Sequence, residues 1–108
     1  MDIKPVKKAK KEIKEYIKLA RRNNLNPKKV ILFGSYAKMN YGANSDIDIC
    51  IVDDFKDNEY YNRLVKYETL KYPEFLDISV VLMTEDDIKD NFNPIVNEIN
   101  KTGVEIAA

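Results

Sequence analysis

The spacing of apolar residues predicts a helix near the start of the chain. Between residues 5 and 24 they recur at steps of three and four, with lysines between them, which is typical of an amphipathic helix. Asparagines at 23, 24 and 26 and a proline at 27 then predict its end. The apolar positions of this pattern are Val6, Ala9, Ile13, Tyr16, Ile17 and Ala20.

Three short apolar runs predict strands. The first, residues 30–33, is half β-branched, and residues 35–38 after it can form one helical turn. The second, residues 46–52, alternates strictly, so its two faces differ in chemistry. The third, residues 75–83, is apolar except for two positions. In the second strand, one face carries Ile47, Ile49 and Ile51, and the opposite face carries Asp46, Asp48 and Cys50. In the third strand, the two polar positions are Asp77 and Ser79.

Helical spacing returns twice more, over residues 58–72 and beyond residue 84. Thr84 and Asp87 resemble a capping box that opens a helix, which Pro94 either breaks or restarts. Residues 104–106 predict a terminal edge strand. Together these elements predict an α/β fold: a small mixed or antiparallel sheet of three to four strands, with helices packed on one side.

The composition limits the number of domains and the kinds of catalytic groups that the protein can have. Because the chain has 108 residues and a mass of 12.6 kDa, we expect a single domain, 1–108. The sequence contains no histidine, which excludes Ser-His-Asp and Cys-His catalysis. Catalysis would therefore rest on carboxylates. Cys50 has no partner for an internal disulfide, and the start lacks the apolar run of a signal peptide, so we expect a cytoplasmic protein. No segment approaches the apolar length of a membrane span, so no membrane partner is expected.

The net charge of zero conceals a strong asymmetry. Residues 1–29 carry eleven Lys/Arg against three Asp/Glu, a net charge of +8, and the remaining residues carry seven against fifteen, a net charge of −8. Such a basic segment can attract RNA, an acidic protein or a polyphosphate, or it can simply be a solvated helix face.

Three aspartates occupy strand positions that are normally apolar: Asp46, Asp48 and Asp77. Residues two apart on a strand lie roughly 6.6 Å apart, so both carboxylates of the pair can reach two divalent ions about 3.5–4 Å apart. If Asp77 lies on the adjacent strand, the three form an oxygen-rich site suited to Mg²⁺ or Mn²⁺. The alternative is that these side chains face solvent on an exposed strand.

Gly34 and Ser35 come directly after the first predicted strand. The glycine allows the backbone to approach a ligand closely, and the N–H groups of the following turn, with the Ser35 hydroxyl, can bind a phosphate. One short loop separates this pair from Asp46 and Asp48, so phosphate donors and metal ligands can share a cleft.

These residues resemble the GS…SDxD signature of the polymerase-beta-like nucleotidyltransferase superfamily, and the short chain resembles its minimal nucleotidyltransferase (MNT) members. The motif covers residues 30–52, and residues 76–80 fit the strand of the third carboxylate. The resemblance implies that ATP is the substrate and that two Mg²⁺ ions, or Mn²⁺, are bound. It further implies nucleotide binding by Gly34, Ser35, Lys38 and Ser45, and metal binding and catalysis by Asp46, Asp48 and Asp77.

The same resemblance implies a reaction and a partner. Family members transfer a nucleotide, here AMP, and Asp77 would assist deprotonation of the acceptor hydroxyl. Larger members add a helical domain that holds the acceptor, and this chain has no room for one. A partner in a hetero-oligomer is therefore expected. The family implies a HEPN-domain RNase toxin that is modified on a tyrosine, with this chain as its antitoxin. The alternatives are an antitoxin that acts by binding alone, a small-molecule nucleotidyltransferase, and, least expected, a nucleic-acid-binding module.

One departure from the family pattern is visible. Many members have Arg-Gly where this chain has Lys38-Met39. Lysine keeps the positive charge but not the two-pronged geometry of arginine, and methionine adopts positive φ less readily than glycine. The loop is therefore expected to differ in geometry from that of such members.

Overall fold

The computed structural model describes residues 4–106, so the predicted domain bounds extend beyond the described residues at both ends. No helix in this part of the chain is long and apolar enough to cross a membrane. The elements in chain order are α1 (Val6–Arg22), β1 (Lys29–Phe33), α2 (Gly34–Ala37), β2 (Ile47–Val52), α3 (Tyr60–Leu70), β3 (Ile78–Met83), α4 (Pro94–Thr102) and β4 (Val104–Glu105), with single 3₁₀ turns at Asp57–Glu59 and Asp87–Lys89.

The four strands form one mixed sheet in the order β3-β2-β1-β4. β1 runs antiparallel to both β2 and β4, whereas β2 and β3 are parallel. Parallel strands need a crossover connection, which α3 provides between them. Of the two predicted sheet types, the mixed one is therefore correct, and the predicted edge strand at the end of the chain is confirmed.

Helices cover both faces of the sheet, so the prediction that they lie on one side is wrong. One face packs on α1 and α3 through a core that includes Ile13, Tyr67 and Ile49. The other face packs on α4, with Val96 against Cys50 and its neighbours. The physical reason is that strands β1 to β3 carry apolar residues on both faces, and a sheet with two apolar faces needs cover on both.

The segment after β3 forms less helix than predicted. Thr84 and Asp87 make the reciprocal bonds of a capping box, since the Thr84 N–H donates to Asp87 Oδ2 at 2.9 Å and the Asp87 N–H to Thr84 Oγ1 at 3.1 Å. They open only a single 3₁₀ turn. The residue before a proline avoids helical backbone angles, so Asn93 is extended and its side chain caps α4, which Pro94 starts.

Candidate active site

Gly34 lies where the end of β1 meets β2. Phe33, the last residue of β1, is paired with Asp48, and Gly34 then takes a left-handed φ of 73°. A Cβ atom at position 34 would collide with the Asp48 carboxylate, whose Cγ would be 3.2 Å away. Both the left-handed backbone angle and the lack of room for a Cβ atom therefore require glycine. The group that the Gly34 backbone approaches in the structure is the carboxylate of Asp48, and its approach to a phosphate stays a prediction.

Asp46 and Asp77 come together because β2 and β3 are parallel and in register. Ile47 is paired with Ile78, and the Ile47 N–H donates to the Asp77 carbonyl at 2.8 Å, so the two aspartates precede their strands side by side. Both line a cavity of about 400 Å³. Lys4, Tyr36 and Ser45 contribute to the same cavity wall. A cavity of this size is sufficient for part of a small ligand.

Asp48 has a raised pKa. Partial burial is the largest cause, followed by the negative charges of Asp46 and Glu98, all of which disfavour the ionised carboxylate. Among residues 4–106, no lysine or arginine lies within ion-pair distance of the carboxylates of Asp46 or Asp48. Two like-charged carboxylates on one strand without a cationic partner fit a hard divalent cation such as Mg²⁺.

The third carboxylate has a different partner. Lys4 Nζ lies 3.0 Å from Asp77 Oδ2 and 2.8 Å from Glu12 Oε1. Burial lowers the pKa of Lys4, but the hydrogen bonds and charges of the two carboxylates outweigh it and raise the pKa overall. Nowhere in the described residues do three or more acidic, cysteine or histidine side chains gather around one point. The structure therefore brings Asp77 to the cavity but turns its carboxylate toward Lys4.

Two stacked tyrosines hold the segment that carries Lys4. The rings of Tyr36 and Tyr41 are parallel within 8°, with centroids 4.2 Å apart. The Tyr36 hydroxyl donates to the Lys4 carbonyl at 3.1 Å, and the Tyr41 hydroxyl accepts from the Val6 N–H at 3.2 Å. Sequence reasoning did not identify Lys4 as a site residue, because it lies 73 positions from Asp77 and no local pattern links the two.

The remaining predicted nucleotide-binding residues lie around this site in different settings. Ser35 is half-buried in the first turn of α2, where backbone N–H groups have no partner within a helix. Ser45 Oγ accepts from the Gly42 N–H at 2.8 Å and so closes the loop before β2. Lys38 Nζ is ion-paired with Glu98 Oε1 of α4 at 2.8 Å.

Cys50 shares a face with the aspartates but is fully buried. Burial, with a small contribution from Asp87, raises the pKa of its thiol to about 12. The thiol therefore stays protonated at neutral pH and serves as a packed core group.

Comparison with known proteins identifies a matching family and a related sequence. The profile of the family described as "Nucleotidyltransferase domain" matches residues 6–105. A relative from Methanocaldococcus jannaschii, "Putative protein adenylyltransferase MJ0604", is 39% identical over 88 residues, which is 81% of each chain.

Solved structures share the fold. A crystal structure of a "putative nucleotidyltransferase" from Sulfolobus solfataricus has a TM-score of 0.64 at 20% identity, over 96% of this chain and 87% of the other. A toxin-antitoxin structure with AMP-PNP has a TM-score of 0.59 at 27% identity. A mutant of the toxin-antitoxin MntA-HpeT has a TM-score of 0.56 at 25% identity. Both of these matches cover 88% of this chain and 72% of the other.

Proposed function

Since this chain belongs to the nucleotidyltransferase domain family, we propose that it transfers AMP from ATP to a tyrosine of a HEPN-domain RNase toxin and thereby acts as its antitoxin. The observation that carries the proposal is the pair formed by Asp46, just before β2, and Asp48, on β2, with Asp48 in contact range of Gly34. The name of the Methanocaldococcus relative supports a protein acceptor, and the toxin-antitoxin neighbours support a toxin partner.

The proposed reaction is an in-line displacement at the α-phosphorus of ATP. The acceptor hydroxyl oxygen forms a bond to that phosphorus while the bond to the β-phosphate oxygen breaks, and pyrophosphate leaves. The hydroxyl proton passes to a carboxylate at the cavity, for which Asp77 is the candidate. AMP thus becomes attached to the acceptor, and no oxidant or reductant is required.

Asp46 and Asp48, together with Asp77, are assigned to hold Mg²⁺. When bound, the ion neutralises phosphate charge and lowers the pKa of the attacking hydroxyl. Gly34 keeps the backbone close to Asp48, and the first turn of α2, including Ser35, is assigned to the triphosphate. These groups bind and orient ATP with its α-phosphorus toward the cavity, which is the main contribution a protein makes to phosphoryl chemistry.

Acceptor recognition is assigned to the partner. Within residues 4–106, the described elements are one four-stranded sheet and the helices packed on its two faces. Besides Asp46 and Asp77, the cavity is lined by Lys4 of the N-terminal segment, Tyr36 of α2 and the remainder of residues 43–47 at the start of β2. An exposed tyrosine of a bound toxin can enter such a cavity, and the AMP group would then add negative charge and bulk beside the toxin's own site.

The proposal is tested by incubating the chain with its candidate HEPN partner, labelled ATP and Mg²⁺. We expect label on the partner with the native chain and at least a hundredfold less with Asp46→Asn/Asp48→Asn. Asp54→Asn is the matched control, because Asp54 follows the opposite end of β2, does not line this cavity, and has a side chain that is 84% exposed. No label with the native chain, together with toxin neutralisation by both proteins, would instead support an antitoxin that acts by binding.

A further inference from the structure

We propose that Lys4 is a built-in counter-ion of Asp77, one that competes with a divalent cation for this carboxylate. The inference rests on the proposed role of Asp77 as a metal-binding residue. Lys4 Nζ donates to Asp77 Oδ2 at 3.0 Å, at the edge of the cavity that Asp46 also lines. An ammonium group and a divalent cation both bind carboxylate oxygens, so the two cannot use the same oxygen at once.

Lys4 is held in place independently of Asp77. Its carbonyl accepts from the buried Tyr36, and the Val6 N–H two residues later donates to Tyr41. Its ammonium group is bound on the other side by Glu12 of α1 at 2.8 Å. The position of the positive charge is therefore set by α1 and the two tyrosines, and Asp77 adds a third contact.

The three partners differ in exposure in a way that allows exchange. The side chains of Lys4 and Glu12 are 20% and 21% exposed, whereas that of Asp77 is 68% exposed. Asp77 can therefore turn toward a cation while Lys4 keeps its contact with Glu12. Because ion pairs with an exposed member are weak, the expected effect of Lys4 on cation affinity is about two- to fivefold.

Mn²⁺ binding to the full chain, followed by the EPR signal of the free ion, tests the proposal without any need for activity. Lys4→Met should bind Mn²⁺ about two- to fivefold more tightly than the native chain. Lys4→Arg keeps the positive charge and should bind Mn²⁺ with the same affinity as the native chain. Lys8→Met is the matched control, because Lys8 is an exposed lysine of the adjoining helix α1 with no ion pair among the described residues. It removes the same charge and should leave the affinity unchanged.

Substitution of Glu12 distinguishes direct competition between Lys4 and Mn²⁺ for Asp77 from a general effect of charge on Mn²⁺ affinity. Glu12→Gln should weaken Mn²⁺ binding, since Lys4 then depends more on Asp77. In the Lys4→Met background the same substitution should have no effect. Additive effects of Lys4→Met and Glu12→Gln would contradict the proposal, because general electrostatics predicts additivity.

Asp77→Asn distinguishes failure of this inference from failure of its premise. Weaker binding in Asp77→Asn combined with unchanged binding in Lys4→Met would overturn the role of Lys4 alone. Unchanged binding in Asp77→Asn would overturn both that role and the assignment of Asp77 to a metal. Thermal unfolding of every variant shows whether it is folded, and Lys4→Arg remains informative if Lys4→Met is not.

Discussion

The ionised Asp48 carboxylate lowers the stability of the folded protein. Its folded-state pKa is raised by burial, by Asp46 and by Glu98, so the folded protein binds the proton more tightly than the unfolded chain. The resulting penalty is fully present above the folded pKa and disappears as the pH falls toward the ordinary value of an aspartate. A bound cation removes the same penalty at neutral pH.

Asp48→Asn should therefore raise the melting temperature of the metal-free protein at pH 7 by roughly 2–4 °C. Calorimetry with and without Mn²⁺ checks this, and Mn²⁺ should stabilise the native chain more than the variant. The stabilisation by Asp48→Asn should shrink as the pH is lowered to about 4. A lower melting temperature for the variant at pH 7 would contradict the electrostatic account.

Gly34 should tolerate no side chain. Gly34→Ala forces a Cβ into the Asp48 carboxylate and a left-handed φ onto alanine, so we expect a loss of about 2 kcal/mol in the free energy of unfolding. Nucleotide transfer should fall about a hundredfold, because the phosphate-binding turn and Asp48 no longer fit together. Gly42→Ala is the control, since nothing lies within 4 Å of its added Cβ. Urea unfolding and transfer assays that show equal effects at both positions would refute this.

At the scale of elements, the loop after α2 contains a strained residue. Met39 has a φ of 61° and is 66% exposed, so its side chain gains little from packing. This is the position where the family resemblance expects glycine, and Met39 adopts the left-handed angle that glycine takes more readily. The expected difference in loop geometry from other members stays a prediction. Met39→Gly should raise the free energy of unfolding by about 0.5–1 kcal/mol, and Met39→Ala should not, because alanine keeps the left-handed strain. Urea unfolding that fails to separate the two variants would contradict this reason.

The end of β2 is joined to α3 by a buried carboxylate. Asp53 is 2% exposed and accepts from Arg63 Nη1 at 3.0 Å and from the Tyr67 hydroxyl at 2.8 Å. Asp53→Ala leaves these donors without their partner and should cost about 3 kcal/mol. Asp54→Ala, at an adjacent but exposed position, should change the free energy of unfolding by less than about 0.5 kcal/mol. Chemical unfolding with equal losses at both positions would contradict this.

Periodicity predicted most elements because it reports which side of an element is buried. The strict alternation of β2 places Asp48 and Cys50 on one face, and the capping pattern at Thr84 corresponds to a turn in the structure. Periodicity does not report what covers each face. For that reason it does not predict α4 on the face of Asp48, nor whether Pro94 breaks a helix or starts one.

Candidate residues were found from the sequence where they are close to one another along the chain. Gly34 directly follows β1 and Asp48 lies on β2, so their contact follows from the antiparallel pairing of Phe33 with Asp48. The ion pair of Lys4 with Asp77 and that of Lys38 with Glu98 join distant segments. Nothing local in the sequence encodes such contacts, since they depend on how the helices pack on the finished sheet.

At the scale of the whole molecule, the site is an assembly of three segments rather than one motif. The N-terminal segment supplies Lys4. The β1–β2 connection and β2 supply Gly34, Asp46 and Asp48, and the residue just before β3 is Asp77. The strongly basic α1 buries its apolar face against the sheet and leaves its lysines exposed. Correct folding of the sheet is therefore a condition for every proposed step.

The most direct test of the central claim is to follow two differently labelled samples of ATP. With the native chain, Mg²⁺ and the candidate HEPN partner, label in the α-phosphate should be retained on the partner, whereas label in the γ-phosphate should leave with pyrophosphate. That result would establish transfer of a nucleotide to a protein. Retention of the γ-label would mean phosphoryl transfer, and absence of both labels from the partner would mean that this protein is not an acceptor; either result would contradict the account.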